Sequence, residues 1–131
     1  MKRQPKMKKL FLDFCNKNGL RVEDIGEGDY LGAYIPNNYF TDTEDVSTFM
    51  EYSDRNRCIC FETCVACYYD ALNRGVTIEF DTCKSRTIYK EKDFKLVEET
   101  YKNIIAKLEF FNVLIKEMKI NERKKSLEQD F

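Results

Sequence analysis

The sequence predicts an α+β fold: a short N-terminal helix, an antiparallel β-sheet of about four to five strands, and a long C-terminal α-helix with a heptad seam. Three observations carry this expectation. Apolar residues recur at helical spacing near the start of the chain, alternate with polar ones through the middle, and return to steps of three and four over the last third. Length sets the scale, since 131 residues with 43% hydrophobic and 34% charged content suffice for one self-standing core.

Residues 1–9, MKRQPKMKK, concentrate lysine and arginine around Pro5 and read as a basic N-terminal arm. Leu10, Phe11, Phe14 and Cys15 then mark one face of a short helix, and Gly19 is placed to stop it. From Leu20 the period shortens to two, GEGD supplies turn chemistry, and an apolar run from Tyr30 ends at Pro36, so residues 20–35 predict a β-hairpin. The following stretch is mixed, with Thr41 or Asp42 able to cap a short helix through Phe49 and Met50.

Residues 57–61 and 76–80 read as strands, the second from the alternation of Val76, Ile78 and Phe80 with Thr77 and Glu79. Between them residues 63–74, closed by Gly75, predict a helix, and residues 86–90 a further strand. The last element is the most regular. Phe94, Val97, Tyr101, Ile104, Leu108, Phe111, Ile115 and Met118 form a seam more than three heptads long behind Asp93 as a capping residue. A helix from 93 to 125 would measure roughly 50 Å. The organisation expected is therefore the arm at 1–9, a single α+β domain over 10–118 that includes this helix, and a charged tail at 119–131.

Composition excludes several chemistries. The chain has no histidine, which removes Ser/His/Asp and Cys/His nucleophilic machinery, histidine zinc ligation and the usual base poised near neutrality, so the expectation is a protein that is not an enzyme. No apolar run approaches the ~18 residues of a membrane span, and KLFLDFC near the start lacks a small-residue cleavage site, which predicts a cytoplasmic protein. Six cysteines in that compartment are read as reduced thiols. GEGDYLG fits neither a phosphate-binding loop nor a dinucleotide fingerprint, because no Lys-Ser/Thr pair follows and no helix opens there.

The stretch RCICFETCVACYY places Cys58, Cys60, Cys64 and Cys67 within ten positions. Four thiolates are the right number for zinc, and a thiol beside Arg55 and Arg57 is the right setting for a redox sensor. Only Phe61, Glu62 and Thr63 separate the two cysteine pairs, however, and the segment has no glycine or proline to turn the chain around an ion. Reduced, packed thiols with no cofactor are the favoured reading; a four-cysteine zinc module that binds RNA or DNA through its basic termini, and a thiol redox sensor, are the alternatives.

Charge is more informative. Residues 20–54 hold Glu23, Asp24, Glu27, Asp29, Asp42, Glu44, Asp45, Glu51 and Asp54 against Arg21 alone, whereas bases outnumber acids over 84–125. The acidic hairpin, with Tyr30 and Tyr34 as anchors, suits docking on a basic groove of a protein that handles nucleic acid. Glu23, Asp24, Glu27, Asp29, Tyr30 and Tyr34 are thus the candidate partner-binding residues. Leu108, Phe111, Ile115 and Met118 are the candidate helix interface, for a homodimer or another chain. A pI of about 5.6 argues against direct contact with RNA or DNA, as does the lack of an RNP-like run or GxxG clamp.

In size, composition and segregated charge, though without a shared motif, the profile is similar to that of phage-encoded host-takeover and anti-CRISPR proteins. The resemblance implies a non-enzymatic inhibitor or regulator of a nucleic-acid-processing complex.

Overall fold

A computed structural model describes residues 5–35, 48–70 and 75–129 and shows the α+β architecture that the periodicities imply. Helix α1, Lys6–Asn18, follows Pro5, whose φ of −57° and ψ of 140° suit the residue before a helix. It ends as the glycine requires: Gly19 takes a left-handed φ of 69°, and Leu20 N–H donates to Cys15 O at 2.9 Å, the closing bond of a Schellman turn. Met7, Phe11, Phe14 and Cys15 line its buried face.

Among the described residues seven strands follow: β1 Arg21–Asp24, β2 Tyr30–Tyr34, β3 Thr48–Ser53, β4 Cys58–Glu62, β5 Val65–Asp70, β6 Gly75–Phe80 and β7 Ser85–Ile88. Five of them form an antiparallel sheet in the order β1-β2-β3-β4-β7, and β5 with β6 makes a separate two-stranded hairpin. Short 3-10 turns at Thr82–Lys84 and Glu91–Asp93 lead to α2, Phe94–Gln129, a helix of 36 residues. Among the described residues no helix is long and apolar enough to cross a membrane.

Register sorts the sheet into two faces. Val22, Ala33, Met50 and Phe61 align across the strands, as do Leu31, Tyr52, Ile59 and Ile88, and these rows face the helices. An aromatic chain joins the layers. Phe11 lies 5.9 Å from Tyr52, Phe14 lies 5.6 Å from Phe94 and 5.2 Å from Tyr101, and Phe49 lies 5.3 Å from Tyr101. Val65, Ile78 and Phe80 bury the inner side of the hairpin, against which α2 runs.

Two expectations are corrected. Residues 65–70 are strand, where a helix over 63–74 was predicted; Val65 and Cys67 point with Ile78 and Phe80 toward the core, and the alternating pattern is satisfied by pairing with β6. Phe49 and Met50 lie in β3, where a short capped helix was expected. That strand is buried on both faces at Phe49 and Met50, which erases the two-residue alternation that would have announced it. The proposed caps Thr41 and Asp42 lie outside the described residues.

Candidate partner-binding surface

Asp24 aligns with Leu31 on the helix-facing side of the sheet and Glu27 and Asp29 lie in the β1–β2 turn, whereas the sheet face away from the helices carries Glu23, Glu51 and Glu62. Glu23, Gly32, Glu51, Cys60 and Thr87 form one cross-strand row on it. Gly32 is the low point of the row. A Cβ there would stand 3.3 Å from both Ile25 Cγ2 and Tyr34 Cε2, so the missing side chain lets Ile25 fold over the strand beside Tyr34.

Where β3 and β4 approach the β5–β6 hairpin, a cleft of about 660 Å³ opens. Its apolar walls include Ile25, Tyr34, Phe49 and Phe80, and its charged groups are Glu51, Glu62 and Glu79, with no base among the described lining residues. Glu62 is the notable member. Its Oε2 atom is buried without a hydrogen-bond partner. Burial pushes its carboxyl above the usual range, and the charges of Glu51 and Asp81 add to the rise. At the rim, the Arg21 guanidinium lies 4.7 Å above the Tyr34 ring and 3.3 Å from Glu23, so this ring already accepts a cation on its face.

The residues singled out in the sequence divide accordingly. Glu23, Asp24, Glu27 and Asp29 are exposed, and Tyr30 is 40% exposed. Tyr34 is only 8% exposed and acts as a cleft wall, not as a free anchor. Asp24 has local work as well: its Oδ1 accepts from Gly26 N–H at 3.1 Å and Gly28 N–H at 3.0 Å, bonds that hold its pKa below the usual value and fix the turn. Glu27 and Gly28 complete that turn with φ of 49° and 87°. Sequence reasoning missed Glu62 and Glu79. Glu62 continues the two-residue step of Cys58 and Cys60 along one strand face, a signal that was present; Glu79 enters the cleft only through the placement of the hairpin.

The four clustered cysteines are dispersed. Cys58 and Cys60 share the outer face of β4, Cys64 sits in the connection with its thiol donating to Val65 O at 3.7 Å, and Cys67 lies on the core side of β5. Among the described residues no three His, Cys, Asp or Glu side chains are grouped as a metal ion requires. Three of the thiols are shifted away from the low pKa that a sensor needs. Burial raises the pKa of Cys58, with Cys60 adding to it, raises that of Cys67, and pushes Cys15 up to about 12. Arg57, one of the two bases that suggested activation, pairs with Asp54 at 3.5 Å.

The candidate helix interface divides too. Leu108 is fully buried, Phe111 and Ile115 are half-buried against the core, and Met118 is 47% exposed. No family model matches the chain, and neither a curated protein nor a solved structure resembles it.

Proposed function

We propose that the chain is a non-enzymatic binding protein of the cytoplasm that docks its acidic sheet face on a basic protein surface, seating an arginine or lysine side chain of the partner in the cleft. Glu62 carries the reading. A carboxylate oxygen that is buried and unpartnered, in a group whose pKa is raised by burial and further by its acidic neighbours, is costly to keep, and a partner's cation would satisfy it. Apolar walls would hold the aliphatic stem of such a side chain while Glu51 and Glu79 receive its head. Exposed Glu23, Glu27 and Asp29 extend the same sign of charge along the adjoining hairpin and would steer encounter.

An acidic face repels phosphate, so a protein partner is favoured over RNA or DNA. Basic grooves that such a face fits are those that otherwise hold nucleic acid, which makes inhibition or regulation of a nucleic-acid-processing complex the biological role proposed, as in phage anti-defence proteins of anti-CRISPR type. The test is capture of a partner by the immobilised chain from nuclease-treated lysate, with Glu51→Lys/Glu62→Lys beside wild type. Capture that survives nuclease and fails with the double variant supports the reading. Capture that needs nucleic acid, or ignores the two substitutions, overturns it.

A further inference from the structure

A second hollow, of about 690 Å³, lies between the start of α1, the β3–β4 turn and the stretch after β7. Its charge is opposite to that of the acidic cleft. Lys6, Arg57, Lys90 and Lys92 line it, and Glu91 is the one acid among its described lining residues. Tyr89, 68% exposed, adds an aromatic ring to the wall. Arg57 precedes β4 and Glu62 ends it, so the two sites stand at opposite ends of that strand, roughly 16 Å apart at about 3.3 Å per residue.

The four bases come from three separate segments, and among the described residues Lys6, Lys90 and Lys92 form no ion pair. Like charges brought together without a counter-charge repel one another. The start of α1 adds to the excess. Pro5 supplies no side-chain cap, no acid stands in the first turn, and Lys6, Lys8 and Lys9 set positive charge against the positive end of the helix dipole. Pro5, Lys6 and Met7 border the hollow, so first-turn N–H groups that have no acceptor within the helix open on it. Arg57 is held in place. Tyr52 Oη donates to Asp54 Oδ1 at 3.3 Å, and the same oxygen meets Arg57 Nη1 at 3.5 Å, which anchors the guanidinium without using all of its N–H donors. Its backbone φ of 51° is a left-handed conformation that glycine or asparagine takes up more easily, so it is the side chain that an arginine contributes at this turn.

We propose that this hollow binds the phosphate groups of a free nucleotide, with the base laid against Tyr89. A terminal phosphate carries about −2 charge at neutral pH, which answers a cluster of bases better than the single charge of a phosphodiester within a strand. The volume falls in the range of about 300–1,000 Å³ that holds small ligands, and an exposed tyrosine ring is a platform on which a base stacks. A continuing strand would carry further phosphates toward the acidic sheet face, which favours a free nucleotide over RNA or DNA. The site shares no lining residue with the cleft, so this inference stands or falls independently of the partner-docking reading.

Calorimetric titration of the full chain with ADP at low salt is the test. Wild type should bind one ADP with a dissociation constant of at most ~100 µM, and binding should weaken as salt is added. Lys90→Ala/Lys92→Ala should raise that constant at least ~10-fold. Arg57→Gly should raise it by a similar factor with the melting temperature held near wild type, because glycine suits the left-handed backbone. Tyr89→Ala should weaken ADP about 5-fold and leave inorganic pyrophosphate unchanged, which separates stacking from phosphate recognition. Glu51→Gln/Glu62→Gln should bind ADP as wild type does. Absence of saturable ADP binding, affinity indifferent to both Arg57→Gly and Lys90→Ala/Lys92→Ala, pyrophosphate bound as tightly as ADP, or a 5′-phosphorylated RNA bound more tightly than ADP overturns the proposal.

Discussion

Glu62→Gln should make the protein more stable and its partner binding weaker. The carboxylate oxygen has no hydrogen-bond partner, and Glu51 and Asp81 add unfavourable charge, so removing the negative charge relieves a penalty, while the new amide offers N–H donors toward those acids. Leaving a buried polar atom unpaired costs about 1–3 kcal/mol, and the partial exposure of Glu62 argues for the lower figure, about 1 kcal/mol. For a chain of this length that corresponds to a rise in melting temperature of roughly 3–5 °C. The pH dependence is more discriminating. A carboxyl whose folded pKa is raised costs nothing below the unfolded value near 4.3, and stability is then lost as pH climbs through the folded pKa. Thermal unfolding of wild type and variant should therefore coincide near pH 4 and separate progressively toward pH 7. A variant less stable than wild type at neutrality, or a gap that does not change with pH, would refute the reasoning.

Asp24→Ala should lower the melting temperature at pH 7 and lose that effect in acid: two backbone N–H groups lower the folded pKa, so the stabilisation exists above about pH 4 and fades as pH falls through the folded value. Gly19→Ala should cost about 1 kcal/mol by forcing a side chain into the left-handed cap of α1, read from the urea midpoint. Cys58→Ser should cost on the order of 1–2 kcal/mol, since the buried thiol gives way to a more polar hydroxyl, and a zinc chelator should leave the wild-type melting temperature unchanged. Unfolding of wild type by the chelator would instead establish a metal site.

Much of the architecture was readable in the residues because it depends on local signals. Gly19 has the one conformation that ends α1, GEGD closes a hairpin whose Asp24 holds the turn, and the step of three and four from Phe94 to Leu108 is the buried face of α2. The failures have a common cause. Periodicity reports which faces are buried and says little about what buries them. Phe49 and Met50 are covered on both sides, so β3 lost its alternation, and CVACYY can satisfy a helix or a strand until β6 is placed beside it. The cleft was less visible still. Glu51, Glu62 and Glu79 come from three different strands, and only sheet register and the position of the hairpin bring them to one opening. The seam of α2 was legible as a repeat, but which of its residues the core would claim depended on how far the domain reaches along the helix.

The central claim is that the acidic cleft receives a basic side chain of a protein. Its most direct measurement is calorimetric titration of the chain with an arginine-rich peptide and, separately, with single-stranded RNA, at low and at high salt. The account predicts peptide binding that weakens with salt and falls at least ~10-fold in Glu51→Gln/Glu62→Gln, with no comparable binding of RNA. RNA binding that depends on Lys2, Arg3, Lys6, Arg123, Lys124 and Lys125, together with a peptide that binds wild type and variant alike, would contradict it.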